Sequence, residues 1–316
     1  MVKLFSGFQK HKAKFAVHLF YRNFKKLLMK KILLFLVIAV LFTSCNSKKN
    51  KNSGNVITVS ILPEKTFVEK IAGTDFKVNV LIPPGSSPAA YTLLPSQLKE
   101  IANSAVWFRI GYIGFEYSWK DKIAQANKDM KVVDLSEGLD LIATGKQQHG
   151  DHFHLEGVNP HIWLSPVLVK QIAQKILDEL ILLKPEKSEE YKANYSKFVK
   201  EIEQLDNQIK NKMKDYAGGI IIVFHPSLSY YARDYGIEQY SLEVGGKQTT
   251  PQLMAKIVDL AKKENIKVIY IQSEFDREHA RVFAEEIDGK IIQVSPLAAN
   301  WADNLMEMTN LFIENF

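Results

Sequence analysis

The sequence predicts an α/β protein of two similar lobes, each a parallel sheet flanked by helices, bridged by one long helix with a ligand cleft between the lobes. Three observations carry this. From Val56 onward, short apolar runs alternate with amphipathic stretches of helical length, the grammar of βαβ units. The same grammar starts again after Gly218-Gly219. Between the two halves lies Ser188–Tyr216, where Tyr191, Tyr195, Phe198, Ile202, Leu205, Ile209 and Met213 recur at three- and four-residue spacing. That is one apolar stripe on a charged rod, without the sustained heptad of a coiled coil.

In the first half, Val56–Leu62 (VITVSIL) reads as a strand, and Pro63 opens a helix through Ala72. Phe76–Ile82 is the next strand, followed by the turn-rich loop Pro83–Pro88. A helix over Pro95–Ser104, a strand over Ala105–Ile110, a helix over Ile113–Ala126 and a strand over Lys131–Leu135 complete it. Ser165 is a good N-cap with Pro166 at the first helical position, so a helix is expected from there to Leu183, ahead of Pro185. In the second half, strands are expected at Ile220–Phe224, Tyr240–Val244, Val268–Gln272 and Ile291–Val294. Helices are expected at Ser227–Tyr235, Thr250–Glu264, Arg277–Ile287 and Asn300–Phe316.

The 316 residues, 46% hydrophobic, suffice for one large core or two ordinary domains. The formal net charge of +6 resembles a partner signal but is local. Residues 1–52 hold twelve Lys or Arg and no acid, and the remainder is slightly acidic. Nucleic acid is therefore not an expected partner. Met29-Lys30-Lys31, the apolar run Ile32–Phe42, and Thr43-Ser44 before Cys45 resemble a bacterial lipoprotein signal, in which Cys45 becomes the lipidated first residue. The run is short for a membrane span. The expected organisation is an N-terminal extension from a misassigned start at 1–28, a signal peptide at 29–44 and a flexible tether at 45–55. An N-terminal lobe at 56–164 (with a His-rich loop at 144–158), a helical linker at 165–217 and a C-terminal lobe at 218–316 follow. The only Cys is the anchor residue, so no structural disulfide is expected. The chain is expected to be exported, held on the periplasmic or cell-surface side of a membrane by its lipid, and monomeric.

Four of the eight histidines fall within His149–His161. His149, His152 and His154 alternate with Gly150, Asp151, Glu156 and Gly157, the text of a mobile loop rich in metal ligands. His161 sits differently, between Asn159-Pro160 and Ile162-Trp163, as a fixed, partly buried ligand would. In open α/β sheets, ligands bind beyond the carboxyl ends of the strands. At such ends the second half places His225, Glu243, and Gln272 with Glu274. A satisfied core histidine and helix-capping acids are the alternative readings of these residues.

Five segments, Ile82–Leu98, Asn159–Pro166, Val223–Ala232, Val268–Phe275 and Val294–Ala298, resemble in order and spacing the periplasmic metal-binding proteins of ABC importers, the zinc- and manganese-uptake receptors. The resemblance covers Val56–Phe316 and implies two α/β lobes bridged by a long helix, with metal between them and an importer permease as partner. It implies His161 and His225 as ligands. The family's first ligand falls on Ala89 and its Asp before Pro-Leu on Ser295, neither a useful donor, and one further acidic position is Gln272. Glu274 is the first choice for a third ligand, with Glu243 and Gln272 as other cleft candidates and the loop His149, His152 and His154 as auxiliaries. Zinc is the expected metal, because imidazole with few carboxylates suits it, and manganese is the second candidate. Two other readings stay open: a receptor for a metal chelate such as a siderophore or cobalamin on the same scaffold, and an exported zinc hydrolase. Against a hydrolase, there is no His-Glu-x-x-His and no nucleophile paired with a base. No catalytic residue is assigned.

Overall fold

A computed structural model describes residues 55–144, 157–243 and 250–316, together with the backbone of Val244 and of the strands at 146–149, 152–155 and 247–248. The extension, signal, tether and Cys45 lie outside the described residues, which belong to one compact unit, Asn52–Phe316. Two four-stranded parallel sheets organise it. In the first lobe, β1 (Val56–Val59), β2 (Lys77–Val80), β3 (Ser104–Arg109) and β4 (Lys131–Asp134) take the order β2-β1-β3-β4. Three helices cross between them, α1 (Leu62–Ala72), α2 (Pro95–Ile101) and α3 (Gly114–Ala126).

After β4 the chain enters a two-stranded antiparallel sheet of β5 (Lys146–His149) and β6 (His152–Leu155), then α4 (Pro166–Leu183) and the 26-residue α5 (Ser188–Met213). The second lobe holds β7 (Ile220–Val223), α6 (Ser229–Tyr235) and β8 (Glu238–Ser241). The short β9 (Glu243–Val244) and β10 (Lys247–Gln248) follow, then α7 (Pro251–Lys263), β11 (Val268–Gln272), α8 (Glu278–Glu286), β12 (Lys290–Val294) and α9 (Trp301–Ile313). Its main sheet runs β12-β11-β7-β8. In both lobes the first strand of the sheet lies between the second and third, so the two halves share one topology. The described residues include no helix long and apolar enough to cross a membrane.

The ends of elements follow local chemistry. Ser165 Oγ accepts from Leu168 N at 3.1 Å and Pro166 opens α4, and Thr250 caps α7 in the same way through Leu253 N at 3.2 Å. Both caps satisfy backbone donors that have no partner inside a helix. Gly236 ends α6 at φ 70°. A side chain there would carry the left-handed strain that Gly avoids.

Three expectations are corrected. The His-rich segment read as a loop forms a hairpin in its backbone, with His149 paired opposite His152. The strand expected at Tyr240–Val244 begins at Glu238, because Glu238 pairs with Ile220 and Ser241 with Val223, and Glu243–Val244 is a separate short strand. Its burial alternates between exposed and half-buried, so sheet register rather than an apolar run sets its bounds. The helix expected from Ser227 starts at Ser229, after Ser227 N has turned back to the His225 carbonyl at 2.7 Å.

One hydrophobic core runs through both lobes. Ile57, Phe108, Trp107 and Phe67 of the first lobe belong to the same cluster as Phe198 of α5 and Tyr231, Trp301 and Phe312 of the second. The junction is aromatic: Phe67 lies 5.9 Å from Phe198 and 5.2 Å, edge to face, from Trp301, between ring centroids. A second cluster around Ile222, Ile269, Ile271 and Phe283 fills the far face of the second sheet.

Candidate metal centre

His161 stands at the mouth of a single 3-10 turn, Ile162–Leu164, whose three side chains are buried. Trp163 anchors the turn by donating Nε1–H to the Pro296 carbonyl at 2.9 Å, and Trp301 donates to the Trp163 carbonyl at 2.6 Å. The residue that fixes the imidazole is Asn159, 3% exposed. Its Nδ2 donates to the Pro226 carbonyl and to Ser229 Oγ, both at 3.0 Å. The carbonyl can only accept, so the opposite atom of the amide must be the oxygen. That oxygen lies 3.0 Å from His161 N and 2.8 Å from His161 Nδ1. It can only accept, so Nδ1 carries the proton and Nε2 keeps its lone pair. Burial, with the neighbouring His225 as the smaller cause, holds His161 well below the usual imidazole range. The ring is neutral near pH 7, as a metal ligand must be.

His225 follows β7 at the carboxyl end of the second sheet. Its backbone carbonyl accepts from Gln272 Nε2 at 2.7 Å, and the same amide donates to Ser227 Oγ at 2.7 Å. The two imidazoles meet edge to face with centroids 5.1 Å apart. Glu243 is brought alongside by its own backbone, which donates to the Phe224 carbonyl at 2.9 Å. Its Oε1 lies 3.1 Å from His225 Nδ1, and Glu243 is 8% exposed. Yet His225 Nδ1 is enclosed and has no aligned hydrogen bond, and Gln272 Oε1 is likewise buried without a partner. Enclosed polar atoms without partners are rare and call for a reason. Two donors bound to one tetrahedral zinc at ~2.0–2.1 Å stand about 3.3 Å apart, close to the separation found here.

Glu274 is placed otherwise. Its Oε1 accepts from Ser273 Oγ at 2.9 Å, and burial raises its carboxyl above the usual range. It lines a cavity of about 270 Å³ between the ends of β1 and β2 on one side and of β11 and β12 on the other. Ser295 lines the same cavity, with Ser273, Leu62, Pro83 and Ala298. Ala89 is exposed, and its amide lies 3.3 Å from Ser87 Oγ. The structure thus sets His225 against His161 on one side and Glu243 on the other, with Glu274 on the wall of the cavity. Gln272 serves the His225 turn. Among the described residues no group of three or more His, Cys, Asp or Glu side chains is disposed to hold a metal ion. His149, His152 and His154 have described backbones only, and Asp151 and Glu156 lie outside the described residues. The residue sequence reasoning undervalued is Asn159, which stood there only as a neighbour of His161. Its signal was the Asn-Pro-His spacing, which lets an Asn side chain reach the backbone two residues on.

Twin parallel sheets with a cleft at their strand ends, and two imidazoles in contact where the halves meet, fit a two-lobed metal-binding receptor. Known proteins agree. The family described as zinc-uptake complex component A, periplasmic, matches residues 57–315. A crystal structure of a 138-173 deletion mutant of ZnuA with zinc bound superposes with a TM-score of 0.77 at 34% identity, covering 82% of this chain and 97% of that one. A putative metal-binding protein of Chlamydia trachomatis is 26% identical over 281 residues, 89% of this chain and 98% of that protein. The zinc-binding lipoprotein AdcA of Streptococcus pneumoniae is 25% identical over 280 residues, 85% of this chain, which spans only 56% of that relative. The chain belongs to the family of periplasmic zinc-uptake components.

Proposed function

We propose that this chain captures zinc outside the cytoplasmic membrane and delivers it to an ABC importer. The observation that supports it most is the pair of prepared imidazoles: His161 with its proton locked on Nδ1 by Asn159, and His225 with an enclosed, unpartnered Nδ1 beside Glu243. In this reading His161 Nε2, His225 Nδ1 and Glu243 Oε1 hold the cargo ion, and Asn159 and Gln272 hold the ligands. A donor set of two imidazoles and one carboxylate favours zinc over manganese, which prefers oxygen. Manganese is then a weak competitor. The match to a family of periplasmic zinc-uptake components supports a receptor rather than a hydrolase.

The Cys45 context supports lipidation after removal of 29–44, with translation starting at Met29 and the anchored monomer presenting 56–316 to its permease. The lobes and linker follow the boundaries given above, 56–164, 165–217 and 218–316. His149, His152 and His154 act as auxiliary collectors.

Zinc titration of purified protein tests the ligand set. His161→Ala, His225→Ala and Glu243→Gln each lower affinity at least a hundredfold, whereas Glu274→Ala changes it less than tenfold. Undiminished affinity in both histidine variants would overturn the assignment.

A further inference from the structure

The main chain of Asn159, whose amide orients the His161 ring, is itself held from two sides. Its N–H donates to the Ile142 carbonyl at 2.9 Å. Its carbonyl accepts from the Tyr230 hydroxyl at 2.8 Å, and the same hydroxyl accepts from Ile142 N at 3.1 Å. These roles are fixed, because an amide N–H can only donate and a carbonyl can only accept. The phenol hydrogen therefore points at Asn159. Tyr230 is wholly buried. The Arg233 guanidinium lies over its ring, 5.2 Å from the centroid, and donates to the Asp140 carbonyl at 3.0 Å. Tyr230 and Arg233 stand three residues apart on α6, so this one helix grips Asp140, Ile142 and Asn159 together.

The residue after Asn159 makes that carbonyl important. Pro160 has no N–H, so the Asn159 oxygen is the one polar group of the peptide between them. It is the handle by which the plane of that peptide is fixed, and the plane sets the direction of the chain into His161. Asn159 Nδ2 is tied separately to the Pro226 carbonyl and Ser229 Oγ. With the oxygen released, the main chain turns while the amide stays tied. His161 then leaves its place 2.8 Å from Asn159 Oδ1.

We infer that Tyr230 is a positioning residue for His161: its hydroxyl fixes the Asn159 carbonyl and so keeps the Asn159 amide aimed at the imidazole. A helix of the second lobe thereby sets the rotamer and tautomer of a histidine that precedes the long linker. The adjacent Tyr231 provides the comparison. It is equally buried on the same helix, but its hydroxyl is bonded to Thr309 Oγ1 at 2.7 Å, on α9.

The effect on cargo rests on the zinc-capture reading, and the experiment separates the two. Zinc is titrated calorimetrically into the full chain and into Tyr230→Phe, Tyr231→Phe, Asn159→Ala and the double variant Tyr230→Phe/Asn159→Ala, with thermal melts to verify folding. A chain with 4-fluorophenylalanine at 230 keeps the volume of the hydroxyl without its donor, and serves where the Phe variant does not fold. Loss of the Tyr230 hydroxyl weakens zinc binding about tenfold, the low end for an orienting partner. Tyr231→Phe lowers the melt comparably but leaves affinity within about twofold, since it touches no orienting partner. In the double variant the Tyr230 change adds nothing to the loss from Asn159→Ala, as expected of residues that act through one another. Equal affinities in the two tyrosine variants, or losses that add in the double variant, overturn the inference and leave zinc capture standing. A native chain that binds no zinc overturns zinc capture, and the imidazole nitrogen-15 spectrum of the metal-free protein then decides the inference. His161 resonances, identified through His161→Gln, show one Nδ1–H form in the native chain and a mixture of forms without the Tyr230 hydroxyl. An unchanged spectrum overturns the positioning role.

Discussion

Replacing Asn159 by alanine removes four hydrogen bonds where the two lobes meet: two to His161 and one each to Pro226 and Ser229. Ser229 Oγ keeps a donor in Gln239 Nε2 at 2.9 Å. The His161 backbone N–H and ring Nδ1–H are left without an acceptor. Each orphaned donor costs about 1–3 kcal/mol, so the folded state should lose about 2–6 kcal/mol. For a unit of this size that lowers the melting temperature by about 5–25 °C. Zinc binding should suffer separately, because the ring is freed to rotate and to change tautomer. Loss of such an orienting partner typically weakens metal binding about 10–100-fold. Calorimetric titration with zinc and a thermal melt of the metal-free protein read the two effects independently. Asn159→Asp is the discriminating variant: it keeps the acceptor for His161 but loses the donor to the Pro226 carbonyl, so it should recover affinity better than stability. A stable Asn159→Ala protein with unchanged zinc affinity would refute the tautomer argument.

Other outcomes follow from the same structure. Zinc at a hundredfold excess over its dissociation constant should stabilise the native protein by about 2.7 kcal/mol, seen as a rise of several degrees in the melt. Glu116 is enclosed, and burial pushes its carboxyl up to about 7, against hydrogen bonds from Ser60 Oγ and the Gly111 and Ile110 amides. Its native form therefore holds a proton that the unfolded chain releases above about pH 4.5. Its contribution to stability falls as pH rises from there to 7, by at most about 3 kcal/mol. Glu116→Gln should flatten the slope of urea stability between pH 5 and 8, and an unchanged slope would count against this. Excising residues 145–156 and joining the ends with a short Gly-rich turn should leave the melt within about 2 °C. The flanks are already tied by Thr144 N to the Gly157 carbonyl at 3.1 Å and Asn159 N to the Ile142 carbonyl at 2.9 Å.

Much of the fold was legible because its signals are local. The caps Ser165 and Thr250, the α5 stripe and the apolar β11 each announce themselves within a few residues. The bounds of β8 were not legible, since they come from register against β7, a pairing with a strand 18 residues away. The site divided in the same way. His161 and His225 were visible as histidines in cleft-forming positions. The closeness of Glu243 to His225 was not, because it depends on a backbone bond from Glu243 to Phe224 that only the folded chain makes. Nor could text reveal that Asn159, one of many polar residues, spans both lobes.

The shared core has a consequence for how the receptor moves. Phe67, Phe198 and Trp301 belong to α1, α5 and α9, so swinging one lobe away from the other would strip rings from a common joint. Exposing two such side chains uncovers roughly 300 Å² of apolar surface and costs about 7 kcal/mol. At that energy a wide-open form is populated on the order of one molecule in 10⁵. Affinity here owes little to closing around the ion and much to side chains set beforehand. A permease that distinguishes loaded from empty receptor must then sense the loops at the cleft rather than the angle between the lobes.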